Sequence, residues 1–156
     1  MNWGILTLTP DTRTLATSSG KEVLLLDLSS GDEIVRLRHS DYPKQLRFSP
    51  DGRWLAVVAG RSVWLWDMAT HQAMTRFTAF QKYAEAIAFN PNGRLLGAGS
   101  REGEIRLWDT AGCKQVACLN WQIGAIHGLV FSPDGMTAAA AGHKNTIVIW
   151  DLEDFA

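Results

Sequence analysis

Cysteine is nearly missing from this chain, and so is any bias of charge. Two cysteines, Cys113 and Cys118, in 156 residues cannot build a disulfide framework. Two thiolates alone do not make a zinc site either. Both fall in one stretch that reads as a strand, at an odd offset that points them to opposite faces. A mutual bridge is therefore not expected, and the thiols read as inert and partly buried. Fifteen Lys and Arg against sixteen Asp and Glu leave a net charge of −1, so composition gives no electrostatic case for nucleic acid or an anionic membrane. No apolar run approaches the roughly 20 residues of a membrane span. The start, MNWGILTLTPD, lacks a basic region followed by a long apolar one. The expectation is a cytoplasmic protein with no membrane and no nucleic-acid partner. Proline is scarce as well, but four of the five prolines recur at a regular interval.

Those four open the turns Pro10-Asp11-Thr12, Pro50-Asp51-Gly52, Pro91-Asn92-Gly93 and Pro133-Asp134-Gly135. A second marker keeps step about 16 residues later: Leu26-Asp27, Trp66-Asp67, Trp108-Asp109 and Trp150-Asp151, spaced 40, 42 and 42 residues apart. Two independent markers on one period mean an internal repeat. Within each unit the apolar segments are four to seven residues long and broken by Gly and Pro, with no stripe of helical period. They read as strands. The first precedes the proline turn (5–9, 45–49, 85–90, 127–132). The second follows it and is rich in small residues (14–17, 54–59, 95–98, 136–141), as suits a strand squeezed between two sheets. The third is continuously apolar and ends at the Trp or Leu of the second marker (23–26, 63–66, 105–108, 147–150), as expected where both faces are covered. A fourth follows in three units (33–37, 72–77, 115–119). The turn chemistry is local. Proline presets φ, Asp or Asn bonds back to the chain, and Gly accepts a positive φ.

The units FSPDGRWLAVVAGRSVWLWD, FNPNGRLLGAGSREGEIRLWD and FSPDGMTAAAAGHKNTIVIWD resemble repeats of the WD-repeat β-propeller family. LTPDTRTLATSSGKEVLLLD resembles a degenerate copy with Leu26 in the Trp position. The resemblance covers nearly the whole chain. It implies an all-β fold of four-stranded antiparallel blades, here four blades (about 3–40, 41–81, 82–122 and 123–156) with the last lacking its outer strand. It also implies a buried His–Ser/Thr–Asp–Trp network in each blade. Counting nine residues back from the strand Phe gives His39, Phe80 and Gln122, so the histidine survives once. The strand position of the hydroxyl holds Thr17, Val57, Ala98 and Ala140. No unit carries the complete set. Asp67, Asp109 and Asp151 then read as turn residues, not as a catalytic group.

In the family the last blade commonly takes its outer strand from the N-terminus. Met1-Asn2-Trp3 is too short for that, whereas Phe155-Ala156 ends where a ring would close. The chain is accordingly expected to be the C-terminal part of a longer propeller, or a half-ring that completes itself by self-association. A closed four-bladed monomer is the third arrangement.

No Ser-His-Asp spacing, phosphate loop or paired-carboxylate motif is present. The aligned column Gly4, Lys44, Glu85, His127 would line a channel mouth. It is mixed in charge and supplies too few ligands for a metal. The expectation is no enzyme, no cofactor and no metal site. A metal- or substrate-binding propeller enzyme using the channel mouth, and a purely structural or sensor module, are the alternatives. The loops that the resemblance gathers on one face carry Tyr42, Arg61, Tyr83, Arg101 and Trp121. Aromatic and Arg side chains dominate interface energetics, so these five are the expected contacts to a protein or peptide partner. Phe80 and Trp121 have a rival role as covers over blade edges.

Overall fold

A computed structural model describes residues 4–78, 80–153 and 155. The expectations that rest on Met1-Asn2-Trp3 and on Ala156 lie outside the described residues. Fifteen strands and no helix occur among those described. They form four antiparallel sheets in strict chain order. Blade 1 is β1 (Leu6–Leu8), β2 (Thr14–Ser19), β3 (Glu22–Asp27) and β4 (Glu33–Arg38). Blade 2 is β5 (Pro43–Phe48), β6 (Trp54–Ala59), β7 (Ser62–Asp67) and β8 (Gln72–Phe77). Blade 3 is β9 (Ala84–Phe89), β10 (Leu95–Ser100), β11 (Glu104–Asp109) and β12 (Lys114–Asn120). Blade 4 is β13 (Ile126–Phe131), β14 (Thr137–Gly142) and β15 (Thr146–Asp151), three strands as expected. The first strands β1, β5, β9 and β13 touch one another in succession, so the blades stack in sequence order around them.

The turns are built as the repeat dictates. Gly52, Gly93 and Gly135 hold φ of 72°, 72° and 74°, and Thr12 is forced to 58° at the same place in the degenerate unit. The hydroxyl of Ser49 accepts the Trp54 N–H at 2.9 Å, while Asp51 accepts the Arg53 N–H at 3.0 Å. The second marker works likewise. Asp67 accepts the N–H groups of Ala69 and Thr70, and Asp109 that of Gly112. The fourth residue past Asp27, Asp67 and Asp109 has positive φ: Gly31, His71 and Cys113. Cys113 therefore lies in a turn rather than in the strand, and Cys118 in β12 is exposed. The reading of two partly buried strand thiols is corrected accordingly.

Each pair of neighbouring blades encloses one apolar cluster. Val23 and Leu25 of blade 1 pack with Leu46, Leu55 and Val57 of blade 2. Val63 and Leu65 pack with Ile87, Leu96 and Ala98. Ile105 and Leu107 pack with Leu129, Ala138 and Ala140. The central strands β6 and β10 are buried along their whole length, which explains their small residues: there is a sheet against both faces.

Register shifts decide which side chains leave the sheets. Pro43 pairs with Ala59 and Gln45 with Val58, so Lys44 is an extra residue, and Glu85 and His127 are extra at the matching places. On the outer strands the extra residues are Ile34, Met74 and Val116, all exposed. A bulge there twists the edge away from a pairing partner.

Candidate partner-binding face

The loops between blades and the turns between second and third strands meet on one rim, and backbone bonds tie them together. His39 N–H donates to Lys21 O at 3.0 Å, Ala84 N–H to Gly60 O at 3.1 Å, Arg101 N–H to Tyr83 O at 3.0 Å, and His143 N–H to Ala125 O at 2.9 Å. These bonds hold the loop side chains on a fixed frame.

At the junction of blades 2 and 3, Asp41, Arg61, Gln81, Lys82, Tyr83 and Arg101 surround a cleft of about 530 Å³. The Tyr83 ring stands at its edge, 43% exposed. The Lys44 ammonium lies 4.5 Å from the centre of that ring and the Arg101 guanidinium 5.3 Å. Both cations also reach Glu85, Lys44 at 3.7 Å and Arg101 at 2.5 Å. Exposed pairs of this kind add little stability, but here they fix where the Tyr83 ring and the guanidinium point. Lys44 and Glu85 can meet because both are bulge residues, turned out at the rim of adjacent inner strands. Below them Gln45 donates to Glu85 O at 2.6 Å and accepts the Ile87 N–H at 3.3 Å, stitching β5 to β9. Tyr42 is 48% exposed, with the Lys21 ammonium 5.5 Å from its ring centre. Arg61 and Lys82 take part in no ion pair among the described residues.

Of the five expected contacts, the structure thus places Arg61, Tyr83 and Arg101 around one cleft, with Tyr42 beside Asp41 at its border. Trp121 stands elsewhere. It is half-buried, its ring 4.8 Å from that of Trp150 and joined to the cluster between blades 3 and 4. Phe80 does the same for Trp108, edge-on at 6.2 Å, and is 4% exposed. His39 does it for Trp66. One residue from each loop between blades therefore covers the third-strand Trp of the following blade. The count back from the strand Phe finds His39 and Phe80 but misses Trp121 by one position, giving Gln122.

His39 sits between two indoles, 5.4 Å from Trp64 and 5.5 Å from Trp66. The Trp66 N–H donates to its Nε2 at 3.1 Å. Its Nδ1 and the Trp64 N–H are buried without partners among the described residues. Burial pushes the imidazole down to about 4 from its ordinary 6.5. In the unfolded chain the group takes up its proton near 6.5, so between there and about 4 the unfolded state holds the extra proton. Stability is then full above pH 6.5 and falls on acidification by up to about 1.4 kcal/mol per pH unit. The turn carboxylates Asp11, Asp27 and Asp134 are held below their ordinary 3.8 chiefly by the hydroxyls of Thr9, Ser29 and Ser132, so their loss comes at lower pH. Urea midpoints between pH 7.5 and 4.5 should show this slope, and a His39→Gln chain should lose most of it. An equal slope in both proteins contradicts the assignment.

The described residues hold no group of three or more His, Cys, Asp or Glu placed to hold a metal ion. Among the described residues no helix is long and apolar enough to cross a membrane. His127 and His143 approach to 5.7 Å between ring centres at the blade 4 rim, with no third ligand group beside them among the described residues.

Four consecutive antiparallel sheets, three of four strands and the last of three, stacked through their first strands and with a Trp-Asp turn closing the third strand of three of them, define a β-propeller segment of the WD-repeat class. The chain belongs to the family described as Eukaryotic translation initiation factor eIF2A, which it matches over residues 5–153. It is also similar to curated WD-repeat proteins. The small ribosomal subunit protein RACK1 of Medicago sativa is 39% identical over 71 residues, 46% of this chain and 21% of that protein. The RACK1 of Neurospora crassa is 38% identical over 71 residues, covering 46% and 22%. The RACK1y of Oryza sativa subsp. japonica is 36% identical over 80 residues, covering 51% and 23%. The match thus spans about a fifth of each relative's length.

Proposed function

We propose that this chain is a non-catalytic protein-interaction scaffold that works in the cytoplasm and binds a protein or peptide partner on the rim between blades 2 and 3. The observation that carries this reading is the cleft at Arg61, Tyr83 and Arg101. A planar ring and guanidinium are held in place there by Lys44 and Glu85, while the side chains of Arg61 and Lys82 take part in no ion pair among the described residues. Side chains already fixed lose little entropy on binding, and Tyr and Arg are the usual energetic centres of interfaces. Tyr42 extends the contact. The mixed charge of the rim favours a protein over a nucleic acid. Membership of a translation initiation factor family and similarity to small ribosomal subunit proteins support an interaction role and favour a partner from the translation apparatus. Association with a second copy of the chain belongs to the same reading.

The test compares captured protein on immobilised wild type and on a Tyr83→Ala, Arg101→Ala variant. Both residues are somewhat under half exposed and lie outside the apolar clusters, so the fold should be retained by circular dichroism. Removing two such side chains from the centre of a contact should lower capture at least about tenfold. Unchanged capture by a folded variant moves the partner to another surface.

A further inference from the structure

The three internal blade contacts use the same positions each time. The third strand of the leading blade offers two residues two apart: Val23 and Leu25, Val63 and Leu65, Ile105 and Leu107, all 0–1% exposed. The first strand of the following blade offers Leu46, Ile87 or Leu129, 0–6% exposed. Counted from the two repeat markers, the matching third-strand pair of blade 4 is Ile147 and Ile149. The matching first-strand residue of blade 1 is Leu6. These three are 69%, 70% and 63% exposed. Among the described residues, the rear of blade 4 thus has the pattern of the donor half of a blade contact, and the front of blade 1 that of the acceptor half.

Both halves are apolar at their centres. Pairing places Val130 beside Ala139 and Ile149, and Ala141 beside Ile147, on one face of blade 4. The small side chains of Gly128, Ala139 and Ala141 leave a concavity of about 200 Å³ there. On blade 1, pairing aligns Leu6 with Thr17 and Leu24, and Leu8 with Leu15 and Leu26. The blade 4 set contains no charge, and on blade 1 charge enters only at the outer strand, where Leu24 pairs with Arg36 and Leu26 with Glu33; apolar faces of this kind are covered by partners in native assemblies.

We infer that two copies of this chain join head to tail, the rear of blade 4 in each copy seated on the front of blade 1 in the other, to close one ring of eight blades. The contact repeats the three inside the chain, and this chain itself supplies both halves. Eight blades lie within the range that propellers form. A head-to-tail contact that closes gives a ring, whereas one that does not gives a filament. This deepens the self-association in the function proposed above and is independent of the Tyr83 cleft.

The test is the mass of the full chain in solution by light scattering coupled to gel filtration. The expected value is twice the 17.2 kDa of one chain, held on dilution. An Ile147→Glu, Ile149→Glu variant should run as a monomer, and so should a Leu6→Glu, Leu24→Glu variant. Mixing the two should restore a dimer, because the intact blade 4 of one meets the intact blade 1 of the other. Val116→Glu, on the outer edge of blade 3, and Tyr83→Ala, Arg101→Ala should both remain dimeric. A wild-type monomer, an open series of larger multimers, a dimer indifferent to the two face variants, or a mixture that stays monomeric would each overturn the ring.

Discussion

Replacing Trp108 with alanine is expected to cost about 3–5 kcal/mol of folding stability, a large share of the 5–15 kcal/mol typical of a domain. The ring is 2% exposed. It stacks on Phe77 at 4.6 Å and meets Phe80 edge-on, so it joins blade 2 to blade 3 from both sides of their contact. Truncation would leave a cavity lined by two aromatics and the buried strand β10, which has a neighbour on either face and cannot move in to fill it. For a chain of this size the loss amounts to roughly 6–20 °C in Tm. The same change at Trp150 should cost less, since that ring is only half-buried and its N–H has no partner among the described residues. An unchanged melting temperature for Trp108→Ala would show the ring to be peripheral.

Gly99→Val should be about as damaging for the opposite reason. The backbone of Gly99 is ordinary, so strain is not at issue. A Cβ there would stand 2.6 Å from the Cβ of Ile126 in the next blade. Neighbouring Gly97 is similarly confined, its Cβ position 2.8 Å from Leu129 and 3.1 Å from Leu107. Strand β10 is buried at every residue, and Ile126 is 0% exposed, so neither side can give way. Overpacking of this kind costs 1–3 kcal/mol in ordinary cores. With two branched methyls driven into a sheet contact the expected loss is about 3 kcal/mol or more. The physical consequence is separation of blade 4 from blade 3. Urea unfolding should show a lower midpoint, and limited proteolysis should release fragments cut between 120 and 126. A midpoint equal to wild type would mean that the contact is loose.

The strands and turns were legible because two markers repeat in step, and each marker is a piece of local chemistry: Pro-Asp-Gly closes one turn and the Trp-Asp aspartate caps the next. Tyr42, Arg61, Tyr83 and Arg101 were legible as rim residues because the resemblance to WD repeats implies that their loops gather on one face. The roles of Trp121, Phe80 and His39 were not separable in this way. All three lie in loops, and an aromatic in a loop reads the same whether it faces solvent or covers a Trp. The bulges at Lys44, Glu85 and His127 left no sign at all. One extra residue changes neither composition nor alternation enough to be seen, yet it is what turns Lys44 and Glu85 toward each other and fixes Tyr83. The exposed pair Ile147 and Ile149 was visible as strand but not as surface, because its sequence is that of three buried pairs.

Lysine cross-linking tests the binding face most directly. Four of the five lysines, Lys21, Lys44, Lys82 and Lys144, stand on the rim that carries the cleft, and Lys114 begins β12 on the opposite rim. Partners captured on the immobilised chain would be joined with an amine-reactive linker and the linked residues identified by mass spectrometry. Links concentrated at Lys44 and Lys82, and lost with the Tyr83→Ala, Arg101→Ala variant, are the predicted result. Links chiefly at Lys114, or links at Lys44 and Lys82 that the variant leaves untouched, would contradict the assignment of this face.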